Sequence, residues 1–317
     1  MIVTLTANPS LDRTVTLGSA LVPGGVHRIT SDTTDPGGKG INVALGVARA
    51  GLDVTAVLPA LRGDPLLALL DAQGLPHVAT DGGPVRTNIT VLADGVTTKI
   101  NEPGSPLSLA QVGAMRDALA STVTAGDLAM LSGSLAPGVP EDFYAQVIRV
   151  LRPLGVWIGV DTSDAPLAAL AAAGPAAAPD FLKPNAEELG QLTGRDGAEL
   201  EARATGGDLD VVRDAACALH THGGVGEVLV TLGGAGAVLA TAAGTWFSPS
   251  PDYPVVSTVG AGDSAVAGYL IARSASLTPP ECLAMAVAYG AVAVSLPGTT
   301  IPRRSDVHPD PSTVRVL

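Results

Sequence analysis

Short apolar runs, each ended by a turn signal, alternate with stretches of helical hydrophobic spacing along most of this chain. The runs lie at 3–7, 54–59, 128–132, 156–160, 181–183 and 228–232. The helical stretches lie at 40–50, 65–73, 109–122, 141–151 and 208–222. Strands that alternate with helices of this length predict an α/β protein, with a mainly parallel central sheet covered on both faces. Ligands of such sheets bind at the carboxyl ends of the strands.

The composition supports a large, closely packed core. The 317 residues are 46% hydrophobic and 15% charged, but only 3% are aromatic. This balance argues against disorder, and it predicts one layered unit over 1–317 whose core is built from Val, Leu, Ile and Ala. The net charge of −12 argues against a nucleic-acid surface and against an anionic membrane. An anionic substrate must therefore meet positive charge locally.

The cysteines and the first residues indicate a soluble, cytoplasmic protein. Cys217 and Cys282 lie in helical, apolar surroundings, which is typical of reduced thiols rather than of disulfides or a zinc site. The opening MIVTLTANPSLD lacks the basic region and the cleavage site of a signal peptide. The most apolar stretch, 282–296, is too short and too rich in Ala and Gly to span a membrane.

Two strand-like, Thr-rich segments interrupt the alternating pattern. They lie at 13–33 and 85–103, and each reads as a hairpin that leaves the ligand edge of the sheet. Together they predict a four-stranded β-sheet lid. Because a small sheet exposes an apolar face, we expect the lid to cover the site, to pair with a second subunit in a homodimer, or to do both.

The segment VSTVGAGDSAVAG places Asp263 directly after Gly260, Ala261 and Gly262, at a predicted helix N-terminus. The backbone N–H groups of such a turn, together with the positive end of the helix dipole, favour negative charge. Two interpretations of the carboxylate remain open. Asp263 either stabilises the helix start, or it is a general base beside an anion hole, the combination that phosphoryl transfer to a hydroxyl requires.

The chain has only three lysines, and each lies in a polar segment near a predicted strand end. They are Lys39 in DPGGKGIN, Lys99 in TTKINEPG and Lys183 in FLKPNAEE. Lysine is a compact charge suited to phosphate oxygens, so three anion contacts are one interpretation, and surface solvation is the other. Arg28 and Arg86, both on the predicted lid, add to the positive field.

The segment DPGGKGIN resembles a P-loop only in part, because Lys39 is followed by Gly40 instead of Ser or Thr. A P-loop kinase is therefore excluded. The glycine turn can approach a ligand closely, and Asn42 on the first helical turn can bond a sugar hydroxyl. A tight turn that only starts a helix is the alternative.

Two further polar groups have both a structural and a functional interpretation. Asn185 and Glu188 are three residues apart at a predicted helix start, where they can contact a hydrated Mg²⁺ or form a capping box. Asp12 in NPSLD can accept hydrogen bonds from substrate hydroxyls or stabilise a turn.

Seven segments in order resemble the PfkB (ribokinase-like) carbohydrate kinase family, in particular its hexose-phosphate branch. They are ANPSLD, GGKGIN, LSGSLAPGVP, VDTS, KPNAEEL, VTLGGAG and STVGAGDS, and they extend over almost the whole chain. The resemblance implies a three-layer ribokinase-like fold, ATP and Mg²⁺ as requirements, and a ketohexose phosphate as substrate. The expected reaction converts fructose 1-phosphate to fructose 1,6-bisphosphate, with tagatose 6-phosphate and fructose 6-phosphate as alternative substrates.

The resemblance also implies roles for individual residues. Asp263 is the implied base, and Gly260, Ala261 and Gly262 form the implied anion hole. The implied sugar-phosphate contacts are Asp12, Gly38, Lys39, Asn42, Arg86 and Ser134. The implied nucleotide contacts are Lys183, Asn185, Thr231, Gly233 and Gly236, and Asn185 with Glu188 is associated with Mg²⁺. One departure is Asp164, since relatives commonly have Gly at this place in a D-x-S-G turn.

Two functions of other classes are weaker alternatives. The segment from Gly260 to Ala265 formally matches the dinucleotide fingerprint G-x-G-x-x-A, with Glu281 downstream as the acidic residue. However, Glu281 follows Pro279 and Pro280 at a helix start, whereas the ribose-binding acid should end a strand. The second alternative is a sugar-phosphate sensor without turnover.

Overall fold

A ten-stranded sheet forms the centre of the fold in the computed structural model, which describes residues 1–298 and 300–317. Its strands are β1 (Ile2–Thr6), β4 (Val54–Ala60), β5 (His77–Asp81), β8 (Leu128–Ser132), β9 (Trp157–Asp161), β10 (Phe181–Leu182), β11 (Glu227–Thr231), β12 (Gly236–Thr241), β13 (Gly244–Pro249) and β14 (Arg315–Val316). Their spatial order is β14-β13-β12-β11-β10-β9-β8-β1-β4-β5. The strands from β11 to β5 run parallel, and β12, β13 and β14 extend the sheet in antiparallel pairing.

Helices cover both faces of this sheet and give the three-layer α/β fold expected from the sequence. They are α1 (Lys39–Arg49), α2 (Pro65–Ala72), α3 (Leu109–Thr122), α4 (Phe143–Leu151), α5 (Asp164–Ala172), α6 (Ala186–Thr193), α7 (Gly197–Thr205), α8 (Asp210–Thr221), α9 (Ala261–Ser274) and α10 (Pro279–Val294). One apolar core lies between the sheet and α3 to α8, and a second lies between the sheet and α1, α2, α9 and α10. Val, Leu, Ile and Ala make up most of both cores, and the aromatic side chains of Phe143, Tyr144, Phe181, Tyr269 and Tyr289 are fully buried among them.

The alternating pattern identified the parallel strands other than β5, together with the helices α1, α2, α3, α4 and α8, but it missed the short helix α7 and both edges of the sheet. The strand β5 is short, partly exposed and contains His77, Thr80 and Asp81, so its apolar signal is weak. The β12–β13 hairpin is rich in Gly, Ala and Thr, and its two strands pair directly with each other. The edge strands form because they pair with strands that are already in the sheet, so their own residues give little signal in the sequence.

The lid is a separate four-stranded sheet, as predicted. It contains β2 (Ser10–Leu17), β3 (Ile29–Gly37), β6 (Arg86–Ala93) and β7 (Val96–Ile100), in the order β3-β2-β6-β7. The antiparallel hairpins β2–β3 and β6–β7 are joined by parallel pairing of β2 with β6. The two hairpins span 10–37 and 86–100, so their limits lie within a few residues of the predicted 13–33 and 85–103.

Close packing of α9 against α10 sets the position of the Gly-rich turn that precedes α9. A Cβ atom on Gly268 would lie 2.7 Å from the carbonyl oxygen of Met285, so only glycine fits at this crossing. Cys282 is buried in α10, Cys217 is partly buried in α8, and both thiols are free. Within the described residues no helix is both long enough and apolar enough to cross a membrane.

Candidate active site

The parallel strands and the lid enclose a cleft of about 1030 Å³. Its floor includes Asp161 at the end of β9, Lys183 after β10 and Thr231 at the end of β11, and its roof includes Asp12 and Asn88 of the lid. The cleft therefore lies at the carboxyl ends of the strands, where the alternating pattern predicted a ligand site.

Asp263 lies on the first turn of α9, and its side chain is 8% exposed. The turn before it needs glycine, because Gly260 has φ of +77° at the N-cap. The carboxyl oxygen Oδ2 of Asp263 accepts a hydrogen bond from Nδ2 of Asn42 at 2.8 Å. The structural interpretation, in which Asp263 only stabilises the helix start, leaves this contact between two helices unexplained.

Burial raises the pKa of Asp263 to about 6, and the negative charge of Asp161 adds to the rise. The positive charges of Lys39 and Lys183 and the hydrogen bond from Asn42 oppose it. A carboxyl group with this pKa is mostly ionised at neutral pH, yet it binds a proton far more readily than an exposed aspartate does. Asp263 is thus a buried carboxylate in the cleft, ionised at neutral pH and held in place by Asn42.

This raised pKa should be visible in the stability of the protein. The pKa of Asp263 is about 6 in the folded state against an ordinary value of 3.8, so the group favours folding below pH 3.8 and loses that contribution as the pH rises through 6. The difference of about 2 pKa units corresponds to roughly 3 kcal/mol. At pH near 7.5 we therefore expect Asp263→Asn to have the higher free energy of unfolding, by up to that amount.

Urea unfolding of both proteins at several pH values from about 4 to 7.5 tests this expectation. The advantage of the variant should shrink towards low pH, where the wild-type carboxyl is itself neutral. A difference in unfolding free energy that is constant with pH would contradict the raised pKa.

A partly buried cluster of three charged side chains lies beside Asp263. Oδ1 of Asp161 accepts from Nζ of Lys39 at 3.0 Å and lies 3.3 Å from Nζ of Lys183. Burial alone would lower the pKa of Lys39, but the negative charges of Asp161, Asp263 and Glu188 outweigh it and raise the pKa above its ordinary value. Lys39 therefore carries its charge throughout the ordinary pH range, so the cleft of an acidic protein contains local positive charge.

On the lid side of the cleft, polar side chains are held in place by hydrogen bonds to one another and to backbone carbonyl oxygens. Oδ1 of Asp12 accepts from Oγ of Ser10 at 2.7 Å and from Nδ2 of Asn88 at 3.0 Å. Arg86 donates to the carbonyl oxygens of Glu102 and Asn8, at 3.1 and 3.2 Å, and burial lowers its pKa. Asn88 was missed in the sequence, although it faces the same side of the lid as Asp12.

The structure brings most of the predicted sugar-phosphate residues into one cleft. Those that line it are Asp12, Gly38, Lys39, Asn42, Arg86 and Lys99. Arg28 lies instead in the exposed connection between β2 and β3, and Ser134 is exposed near Asn8; neither lines the cleft.

The opposite end of the cleft is formed by two adjacent strand ends. The N–H of Thr231 donates to the carbonyl oxygen of Pro184, which places KPN beside VTLGG. The predicted nucleotide contacts Lys183, Asn185, Thr231, Gly233 and Gly236 all line this end. So do apolar side chains that sequence reasoning missed, among them Val255 and Val256, which are 70% and 60% exposed. Their only signal in the sequence is an apolar pair within a polar loop.

Asn185 and Glu188 form the capping box of α6. Oδ1 of Asn185 accepts from the N–H of Glu188, and Oε2 of Glu188 accepts from the N–H of Asn185, each at 2.8 Å. Both residues also line the cleft, so the structural interpretation holds without excluding the functional one. Within residues 1–298 and 300–317 there is no group of three or more His, Cys, Asp or Glu side chains that could hold a metal ion by itself.

The dinucleotide-binding alternative does not fit this geometry. The residues from 250 to 260, which precede the match to G-x-G-x-x-A, contain no strand. Glu281 is a partly exposed residue whose carboxylate accepts from the N–H of Thr278 in the capping box of α10. The fingerprint needs a strand before the glycines and an acid at the end of the next strand, and neither is present here.

Comparison with known proteins defines the class to which this fold and this cleft belong. The model of the pfkB family carbohydrate kinases matches residues 6–306, and the chain belongs to this family. It is 37% identical to 1-phosphofructokinase of Xanthomonas campestris pv. campestris over 293 residues, which cover 90% of this chain and 89% of the relative. It is 31% identical to ATP-dependent 6-phosphofructokinase isozyme 2 of Escherichia coli over 312 residues, which cover 97% and 96%.

The fold is also similar to that of a solved kinase. The crystal structure of phosphofructokinase-2 from Escherichia coli in complex with substrates and products matches with a TM-score of 0.86 and 30% identity, over 96% of each chain. The chain is thus a carbohydrate kinase, a phosphotransferase with an alcohol group as acceptor.

Proposed function

We propose that this chain transfers the γ-phosphoryl group of ATP to the free primary hydroxyl of fructose 1-phosphate, giving fructose 1,6-bisphosphate and ADP. The observation that carries the proposal is the position of Asp263, a buried carboxylate that follows the Gly260–Gly262 turn in the cleft where Lys39 and Lys183 also lie. The relative named 1-phosphofructokinase supports this substrate.

Asp263 acts as the general base in this proposal. It accepts the proton of the sugar hydroxyl as the oxygen attacks phosphorus, and Asn42 keeps the carboxyl oriented through its 2.8 Å hydrogen bond. Protonation of Asp263 should therefore abolish turnover, and kcat/KM should fall as the pH drops below about 6.

Backbone amides and lysines stabilise the charge that develops during transfer. The N–H groups of Gly260, Ala261 and Gly262 lie at the N-terminus of α9, where the helix dipole favours negative charge. Lys39 and Lys183 add two cations that are already in place before a phosphate arrives. Such fixed groups need little reorganisation in the transition state.

Asn185 and Glu188 fit a role in holding hydrated Mg²⁺. Glu188 is 7% exposed and lines the cleft, and its Oε2 is occupied by the capping box. No hydrogen bond of its Oε1 is found within the described residues, so this oxygen can accept from a water bound to the metal. When bound, Mg²⁺ neutralises and orients the phosphate oxygens of the nucleotide.

Glu188→Gln should raise the Mg²⁺ concentration needed for half-maximal activity by about 10- to 100-fold. Glutamine preserves the capping box but removes the charge, so the free energy of unfolding should change little. A Mg²⁺ titration at fixed ATP measures the effect. The matched control is Glu281→Gln, which makes the same change in the exposed capping box of α10. An unchanged Mg²⁺ requirement in Glu188→Gln would remove Glu188 from the metal site.

The substrate is tested by comparing kcat/KM on fructose 1-phosphate, tagatose 6-phosphate and fructose 6-phosphate, each with ATP and Mg²⁺. We expect fructose 1-phosphate to be preferred by at least about tenfold, the discrimination given by about 1.4 kcal/mol. A preference for fructose 6-phosphate would favour the function in the name of the Escherichia coli relative. Binding of a sugar phosphate without turnover would instead indicate a sensor.

We also propose that the lid contributes to a homodimer. Ile29, Val96 and Ile100 lie on lid strands and are 50%, 63% and 56% exposed. Exposed apolar side chains on a small sheet favour association with another surface. Sedimentation equilibrium of the wild-type protein and of Val96→Asp measures this association. We expect a dimer for the former and a shift towards monomer for the latter, and a wild-type monomer would overturn the proposal.

A further inference from the structure

Asp161 is a fully buried carboxylate to which the motifs assign no role. It is the last residue of β9, and its side chain is 0% exposed. Its Oδ1 receives the ammonium groups of both Lys39 and Lys183. Its Oδ2 is also buried and has no hydrogen-bond partner within the described residues.

The two lysines approach Asp161 from different sides of the cleft. Lys39 begins α1, beside Gly38 and near Asn42 on the sugar side. Lys183 follows β10 and precedes Asn185 on the nucleotide side. A single carboxyl oxygen therefore lies between two like charges, one buried and one partly exposed, that would otherwise repel each other.

The energetics of burial make such a carboxylate unusual. Removing an aspartate from water is costly, because burial favours the neutral carboxyl and raises its pKa. In this site the positive charges of Lys183 and Lys39 outweigh that effect and hold the pKa of Asp161 below its ordinary value. The other charged groups that act on this cluster are Asp263 and Glu188. Replacing a whole buried ion cluster by well-packed apolar residues is often neutral or stabilising, so the presence of this cluster in the cleft points to a purpose other than stability.

We propose that Asp161 is a positioning residue, whose carboxylate holds Lys39 and Lys183 together beside Asp263 so that both cations meet the transferring phosphoryl group. The inference deepens the proposed kinase function and rests on it. Any ion pair with Asp161 raises the proton affinity of Lys39, whereas a positioning residue also sets the proton affinity of Asp263 and the rate of phosphoryl transfer.

Lysine labelling tests the cluster without requiring turnover. The chain has three lysines, and the exposed Lys99 serves as internal reference. Trace acetic anhydride at pH near 9, followed by mass spectrometry, reports the neutral fraction of each amine. In Asp161→Asn the labelling of Lys39 relative to Lys99 should rise at least about fivefold, because one pKa unit changes the neutral fraction tenfold. Unchanged labelling of Lys39 in the folded variant would overturn the proposal.

A matched control separates this effect from a loss of stability. Glu227→Gln weakens another partly buried carboxylate cluster, in which Glu227 accepts from Arg273 at 2.8 Å and from Tyr269 at 2.6 Å, at the opposite end of the strands. It should lower stability but leave the relative labelling of Lys39 within about twofold of wild type. If Asp161→Asn does not fold, Lys183→Met provides the test. Lys39 should then pair with Asp161 alone and be labelled more slowly than in wild type, and faster labelling would contradict the proposal.

The pH profile supplies the second readout. The acid limb of the profile is the fall of kcat/KM towards low pH. The negative charge of Asp161 raises the proton affinity of Asp263, so Asp161→Asn should move this acid limb to lower pH. The same variant should lower the maximum of kcat/KM about 10- to 100-fold. Glu227→Gln should leave the limb in place. An unmoved acid limb in Asp161→Asn would contradict the positioning role, whereas a wild-type protein without turnover on any sugar phosphate would contradict the proposed function and leave the labelling result standing.

Discussion

Asp263→Asn should lower kcat by about 10²- to 10⁴-fold, the contribution typical of a general base. Asparagine has the shape of aspartate and can still contact Asn42, but it cannot accept the proton of the attacking hydroxyl. The expected effect is on kcat, with a much smaller change in the KM of either substrate. Steady-state kinetics at pH near 8, where wild-type Asp263 is ionised, gives the comparison.

Asp64→Asn is the matched control for this variant. Asp64 is also a buried aspartate, 6% exposed, but it accepts from the N–H groups of Leu66 and Val85 outside the cleft. This control should lose stability through a weakened helix start and keep its kcat. Wild-type turnover in Asp263→Asn would refute the base assignment.

Lys39→Met should lower kcat by about 10²- to 10³-fold, because it removes a cation that stabilises the negative charge of the transferring phosphoryl group. It should also move the acid limb of kcat/KM to higher pH. The positive charge of Lys39 lowers the pKa of Asp263, so its loss lets that pKa rise further above about 6. The direction is opposite to that expected for Asp161→Asn.

Lys39→Arg and Arg152→Met complete the comparison. The first keeps the positive charge but not the compact shape, so it should leave the acid limb close to its wild-type position. The second breaks the ion pair of Arg152 with Asp180, which lies outside the cleft, and should leave both kcat and the limb unchanged. An acid limb that moves to lower pH in Lys39→Met would contradict the electrostatic account of the site.

The roles proposed for Asn185 and Glu188 show how one pattern can satisfy two interpretations. Their spacing predicted both a capping box and a metal contact, and the structure contains the capping box. The metal role remains a prediction, because a spacing of three residues at a helix start serves both purposes. The Glu188→Gln variant separates them, since glutamine can cap but carries no charge.

The sequence by itself determined the layered α/β fold, the four-stranded lid and the segments that meet at the cleft. Period-two and helical spacing report which side of each element is buried, and glycine turns report where a backbone must bend, so these features can be identified from local patterns. The same patterns singled out Asp263 and the three lysines, because an acid after a glycine turn and rare cations in polar segments are visible in any one chain.

Only the tertiary structure decided which of these groups touch. The contact of Asn42 with Asp263 joins residues 221 positions apart, and that of Lys39 with Asp161 joins residues 122 apart. Asp161 ends a buried strand, and its segment VDTS contributes to the family resemblance without indicating which side chains the carboxylate contacts. Its burial between two lysines, and the raised pKa of Asp263 beside it, arise from desolvation and from charges brought together by packing, which depend on distances in space that no local spacing encodes.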